Sequence, residues 1–180
     1  MKKIVLKFGL ISGVLAALMM VATLPFMDNL NGNKGYLVGY TTMVLAFLLV
    51  YFGIRSYRDN VGHGQISFGR GFAVGISIAL IMCVFYVVTW EIIYFNFMPN
   101  FMDHYIAHEV AQLQAAGASA TKIQAKLQEM NQMKAMLRNP LFNAAMTFIE
   151  PFPVGLVMAL FSAAILRRKG PRVVGEAVSA

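Results

Sequence analysis

Few side chains in this chain could do chemistry, and the deepest of them are two carboxylates set in apolar sequence. Glu91 follows Thr89 and Trp90 near the end of one apolar run. Glu150 sits nine residues into another and is followed by Pro151 and Pro153. A carboxylate at such depth is costly unless it is paired, protonated or wet. The two prolines remove two backbone donors and crowd the preceding turn, which frees carbonyl groups beside Glu150. Two arrangements fit these residues. In the first, Pro151 starts a helix and Glu150 is a cap residue at a wet interface, with Glu91 among headgroups beside Trp90. In the second, Glu91, Glu150, Pro151 and Pro153 build a water-lined site for a proton or cation, as broken helices do in transporters.

Other candidates carry less. His104 and His108 stand four apart between Asp103 and Glu109, a spacing that puts both imidazoles on one helix face. Tyr105 occupies the position a catalytic Glu would need, so the pair is not a zincin motif, and no metal or cofactor is expected. His63 lies in the Gly-rich stretch Gly62-His-Gly-Gln-Ile-Ser-Phe-Gly-Arg-Gly71, which matches neither a P-loop nor a dinucleotide turn. A flexible re-entry into the next helix is the expected role. Cys83 lies inside an apolar run, so no nucleophile–base set can be assembled and no enzymatic activity is expected.

The elements that must position these residues are four apolar runs: Ile4–Met27, Leu37–Ile54, Phe72–Phe95 and Leu141–Leu166. Each is long enough, at about 1.5 Å per helical residue, to cross a hydrocarbon core of about 30 Å. The composition agrees: 58% hydrophobic, 13% charged, mean hydropathy +0.64. The first run continues beyond the usual length of a signal-peptide core and lacks a clear cleavage site, so an uncleaved helix is expected. The net charge of +7 does not point to nucleic acid, because the basic residues flank apolar runs.

Their distribution sets an orientation. Lys2, Lys3, Lys7, Arg55, Arg58, Arg70, Arg167, Arg168, Lys169 and Arg172 fall on one side of a four-span arrangement. Lys34, Lys122, Lys126, Lys134 and Arg138 fall on the other. Both termini are therefore expected in the cytoplasm. Thr23, Pro25, Glu91 and Glu150 then belong to the outer part of the bundle. Small residues four apart recur in all four runs: Gly9 and Gly13; Gly35 and Gly39; Gly71, Gly75 and Ala79; Gly155, Ala159 and Ala163. Such spacing lets helices approach closely in lipid or serves a homo-oligomer.

Between the third and fourth runs, residues 99–139 read as an external helical hairpin. Ile106, Val110 and Leu113 line one arm, and Ile123, Leu127, Met130, Met133 and Leu137 the other. Gly117 suits a helix stop, and Ser119 or Thr121 a cap. The two stripes are expected to pack on each other or on lipid, with a Met-rich partner groove as the sharper alternative.

The fold expected is all-α: an integral membrane domain over 1–169, with spans at 4–27, 37–54, 72–95 and 141–166, and a flexible cytoplasmic tail at 170–180. Several stretches resemble one family, called domain of unknown function 4199. They are Ile66-Ser-Phe-Gly-Arg-Gly-Phe, Gly117-Ala-Ser, Met130-Asn-Gln-Met-Lys and Phe148-Ile-Glu-Pro-Phe-Pro-Val-Gly-Leu, ending at Ala164-Ile-Leu-Arg-Arg-Lys169. The resemblance implies four helices in a bacterial inner membrane and carries no activity. The functional expectation is an accessory or structural membrane protein whose hairpin meets a partner or the membrane surface. Its rival is an ion- or proton-coupled permeation protein using Glu150 and Glu91.

Overall fold

A computed structural model describes residues 1–24 and 33–168, with the side chains of 33–36 not described. Pro25, Lys169, Arg172 and the tail 170–180 lie outside the described residues, as do the side chains of Lys34 and Gly35. The described chain is helical: α1 (Lys2–Thr23), α2 (Asn33–Asn60), α3 (Phe68–Ile92) continued by a π turn (Ile93–Phe97), α4 (Phe101–Ala115), α5 (Ala120–Leu137), α6 (Pro140–Ile149) and α7 (Pro151–Leu166). Among the described residues the only β pairing is one antiparallel bridge between Ile66 and Arg168. Four segments are long and apolar enough to cross a membrane: Lys2–Thr23, Leu37–Asn60, Phe68–Phe97 and Pro140–Leu166.

The chain divides into two compact units, 1–82 with 152–180, and 83–151. The first is held by small residues. Along α2, Met43, Ala46, Phe47, Val50, Ile54 and Tyr57 are buried at the three- and four-residue steps of one helical face. A Cβ built on Gly155 would lie 2.7 Å from Phe47 and 3.1 Å from the Ala79 methyl. One on Gly75 would lie 3.2 Å from Ala159, and one on Gly71 3.3 Å from Ala163. The expected stripes of α3 and α7 therefore face each other antiparallel, Gly71 on Ala163, Gly75 on Ala159 and Ala79 on Gly155. On α1, Gly9 abuts Ile81, whose Cβ would stand 2.9 Å from an added methyl. Ser12 donates a 2.8 Å hydrogen bond to the Ala46 carbonyl, satisfying the one hydroxyl buried between α1 and α2. The α2 stripe departs from expectation: Gly39 meets open space.

These contacts also gather charge. Ser12 against Ala46 and Phe8 against Gly53 make α1 and α2 antiparallel. Lys2, Lys3, Lys7, Arg55, Arg58, Arg70, Arg167 and Arg168 thus lie at one end of the unit. The connection there is not the loose re-entry expected of a Gly-rich stretch. Gly62 and Gly64 donate to the carbonyls of Tyr57 and Arg58 at 3.0 and 2.9 Å, and Ile66 exchanges both backbone bonds with Arg168. His63 and Gly64 take left-handed φ values of 49° and 83° to close the turn. Away from its interior the unit presents Leu18, Leu37, Phe161 and Ile165 at 62–70% exposure. Exposed apolar side chains of this extent accord with the four segments of spanning length.

The second unit has its own core: Tyr94, Met102, Ile106 and Met130, with Trp90, Phe101, Val110 and Leu137 packed against it. The indole of Trp90 meets the edge of Phe101 at 5.2 Å, a favoured aromatic geometry. Gly117 ends α4 at φ 69°, with Ala118 N–H donating to the Leu113 carbonyl and Gly117 N–H to that of Gln114, a Schellman stop. Of the two caps considered, Ser119 is the one used, accepting from Lys122 N–H at 3.3 Å. Lys134 of α5 pairs with Asp103 of α4. The α5 stripe is buried unevenly, with Ile123 partly buried at its start. Met130 is enclosed and Met133 and Leu137 are partly so, whereas Leu127 is exposed. Met130 is thus a core residue and not part of an open Met-rich groove.

Candidate functional site

The fourth apolar run is two helices in tandem. Asn139 caps α6 through its side-chain oxygen, which accepts from Leu141 and Phe142 N–H, and Pro140 takes the first helical position, where no donor is lost. The helix reaches Ile149. Glu150 keeps right-handed helical angles (φ −70°, ψ −58°), and Pro151 begins α7 at once. The whole forms one 27-residue segment with a proline junction inside it. Pro151 does start a helix, as the capping arrangement requires, but another helix precedes it. Lacking N–H groups, Pro151 and Pro153 leave the carbonyls of Thr147 and Ile149 without their usual donors. Pro151 is buried and Pro153 exposed.

Around that junction lies a polar stripe. Asn143, Thr147 and Glu150 follow one another at i, i+4 and i+7, one face of α6. Asn143 is 1% exposed. Its Nδ2 donates to the Leu137 carbonyl at 3.3 Å, satisfying the end of α5, and its Oδ1 accepts from the Thr147 hydroxyl at 3.2 Å. Glu150 is exposed, and its Oε2 accepts from the Tyr86 hydroxyl of α3 at 3.1 Å. Tyr86 is the aromatic residue of α3 that reaches the stripe.

Glu91 does not join it by a hydrogen bond. The residue is partly buried, and its Oε1 is enclosed with no partner among the described residues. The two carboxylates selected from the sequence thus have different surroundings: Glu150 has a phenol donor, and Glu91 has an enclosed oxygen without one. Sequence reading missed Tyr86, Asn143 and Thr147. The spacing of Asn143, Thr147 and Glu150 in an otherwise apolar run was the available signal. Tyr86 gave none, because a lone tyrosine in such a run is common.

Of the histidine pair and the acids beside it, Asp103 and His108 have other partners. Asp103 binds Lys134, and the His108 ring lies against the Gln112 amide at 3.4 Å. Among the described residues no group of three or more His, Cys, Asp or Glu could hold a metal ion. Cys83 is buried and unpaired in α3. Chemically, the stripe offers a hydroxyl–carboxylate contact, whose carboxyl can hold a proton, and a buried amide; Glu91 is an acid apart from it. The stripe lacks a nucleophile activated by a base.

Exposed apolar side chains and four segments of spanning length define the class, a membrane protein of four candidate spans. The chain belongs to the family described as protein of unknown function (DUF4199), whose model matches residues 7–168. No curated protein and no solved structure matches it.

Proposed function

We propose that this is a non-enzymatic accessory protein of the bacterial inner membrane. Its first unit is the anchor, with both termini cytoplasmic. Helices α4 and α5 form a helical hairpin on the outer side, which meets a protein or the membrane surface. The observation that carries this reading is the division of labour between the units. The anchor is closed by small residues packed on one another, with eight basic residues at one end. The other unit has a separate core, to which α4 and α5 contribute Met102, Ile106 and Met130 and the end of the third span Tyr94. The charge asymmetry supports the orientation. Depth supports it as well. About 20 residues cross the hydrocarbon core, which counted from the basic ends reaches the region of Val87 in α3 and Thr147 in α6. Trp90, Glu91 and Glu150 then sit within a turn or so of the outer boundary, where tryptophan is enriched.

Leu127 is the residue through which to test it, being apolar, on α5 and exposed. A photoreactive amino acid placed there is expected to give a lipid adduct if the hairpin lies on the bilayer, and one discrete protein adduct if it holds a partner. Reaction with solvent alone overturns the reading.

The enclosed Glu91 oxygen and the Tyr86–Glu150 contact favour a second reading, proton- or ion-coupled permeation by an oligomer. It predicts that Glu150→Gln abolishes a pH-dependent flux in liposomes while helix content is unchanged. A purified protein that gives no flux before substitution removes this reading.

A further inference from the structure

We infer that α5 is a self-pairing helix: two copies of the chain associate through an antiparallel α5–α5 contact. The side of α5 opposite Met130 carries seven exposed residues and no charge. They are the amides Gln124, Gln128, Asn131 and Gln132 and the small residues Thr121, Ala125 and Ala135. These residues, with Leu127 at their border, form a shallow, open strip of surface along the helix. At roughly 3.6 residues per turn they fill about a third of the helix circumference. A solvated helix face is ordinarily where charges accumulate. Here Lys122, Lys126 and Glu129 lie to one side of the face and Lys134 and Arg138 to the other.

The occupant follows from complementarity. In an antiparallel pair with its two-fold axis midway between Ala125 and Gln128, Ala125 faces Gln128 of the second copy and Thr121 faces its Gln132. Both of these layers, each formed twice by symmetry, set a small side chain against an amide, and amides supply both donor and acceptor; Ala135 lies beyond the paired stretch. The same register satisfies both flanks. Lys122 comes beside Glu129 of the second copy, and Gln124 beside its Asn131, each twice by symmetry. Glu129 has room for this: its side chain is 67% exposed while it accepts from Lys126 at 3.1 Å. A parallel pair has neither property, since Ala125 would face Ala125 and Glu129 would have no cation across the seam. Copies sharing one bilayer form the antiparallel contact when α5 runs across the bilayer normal.

The pairing rests on α5 lying outside the bilayer, and the experiment separates the two. In a Cys83→Ser background, two differently tagged copies are co-expressed, one carrying Ala125→Cys and the other Gln128→Cys, and native membranes are oxidised. A disulfide needs Cα atoms within about 7 Å, which this register grants to the mixed pair and denies to either like pair. The expected result is a mixed-tag disulfide in excess of both single-tag products. Lys122→Glu is expected to abolish it, and adding Glu129→Lys to the same chain to restore it. If both cysteines react with a charged thiol reagent from outside yet no mixed product forms, the pairing is wrong and the sidedness stands. Equal mixed and like products also overturn the pairing. Cysteines that label only from the cytoplasmic side overturn both.

Discussion

At the level of single residues, the polar groups of this protein divide by whether a partner reaches them. Asn143 was not singled out from the sequence, yet among the described residues it is one of three buried polar side chains and has the most hydrogen-bonding duties. Its amide holds the last turn of α5 and receives Thr147. Replacing it with Ala leaves the Leu137 carbonyl and the Thr147 hydroxyl short of partners. The expected cost is about 1–3 kcal/mol, the range for stranded buried groups. Asn143→Asp removes the same donor without removing volume and is expected to cost at least as much. Thermal unfolding in detergent measures both, and an unchanged midpoint would show that Asn143 is a spectator. Glu91 is the converse case. Its Oε1 has no partner to lose, so Glu91→Gln is expected to shift the same midpoint by less than about 1 kcal/mol. The sequence pointed to Glu91 and Glu150 because acids stand out in apolar runs. It could not rank them, because the Tyr86 hydroxyl reaches one of them from 64 residues away.

At the level of elements, small-residue spacing was legible and its use was not. All four runs carry the pattern, but a pattern states only that an approach is possible. Gly155 sits where a methyl group would meet Phe47 and Ala79, whereas Gly39 faces nothing within 4 Å. Gly155→Ala is therefore expected to destabilise the anchor by roughly 1–3 kcal/mol, the range for overpacked cores. Gly39→Ala is expected to be neutral or to stabilise α2 by up to about 1 kcal/mol, the helix-propensity difference. Equal effects at the two sites would mean that the α3–α7 register is wrong. The connection at 61–67 teaches the same lesson from the other side. Four glycines in ten residues suggested slack, but backbone bonds to Tyr57, Arg58 and Arg168 tie it down. The Ile66–Arg168 bonds among them depend on the end of α7 returning to this place, which local composition does not encode. The turn between α4 and α5 was legible because its signals, Gly117 and Ser119, act within six residues.

At the level of the whole molecule, the two units differ in what stabilises them, and that difference can be cut. The close approaches of the anchor lie within 1–82 and 152–168: Ser12 with Ala46, Gly9 with Ile81, Phe47 with Gly155, Gly71 with Ala163. The helix pair is stabilised by another set, Trp90, Tyr94, Met102, Ile106 and Met130, and by the Asp103–Lys134 ion pair. Replacing residues 99–139 with a short flexible linker should therefore spare the anchor while removing Leu127 and α5 altogether. The register reports on this directly. An added Cβ at Gly71 lies 3.3 Å from that of Ala163, near disulfide range, so Gly71→Cys with Ala163→Cys in a Cys83→Ser background is expected to cross-link in the full chain. The same cross-link should form in the shortened chain, still inserted in membranes, while the Leu127 adducts and the α5 pairing disappear. Loss of the 71–163 cross-link on excision, with the full chain still forming it, would mean that the outer helices hold the anchor together. The hairpin would then be part of the scaffold, and its surface would have to be explained by stability before any partner is sought.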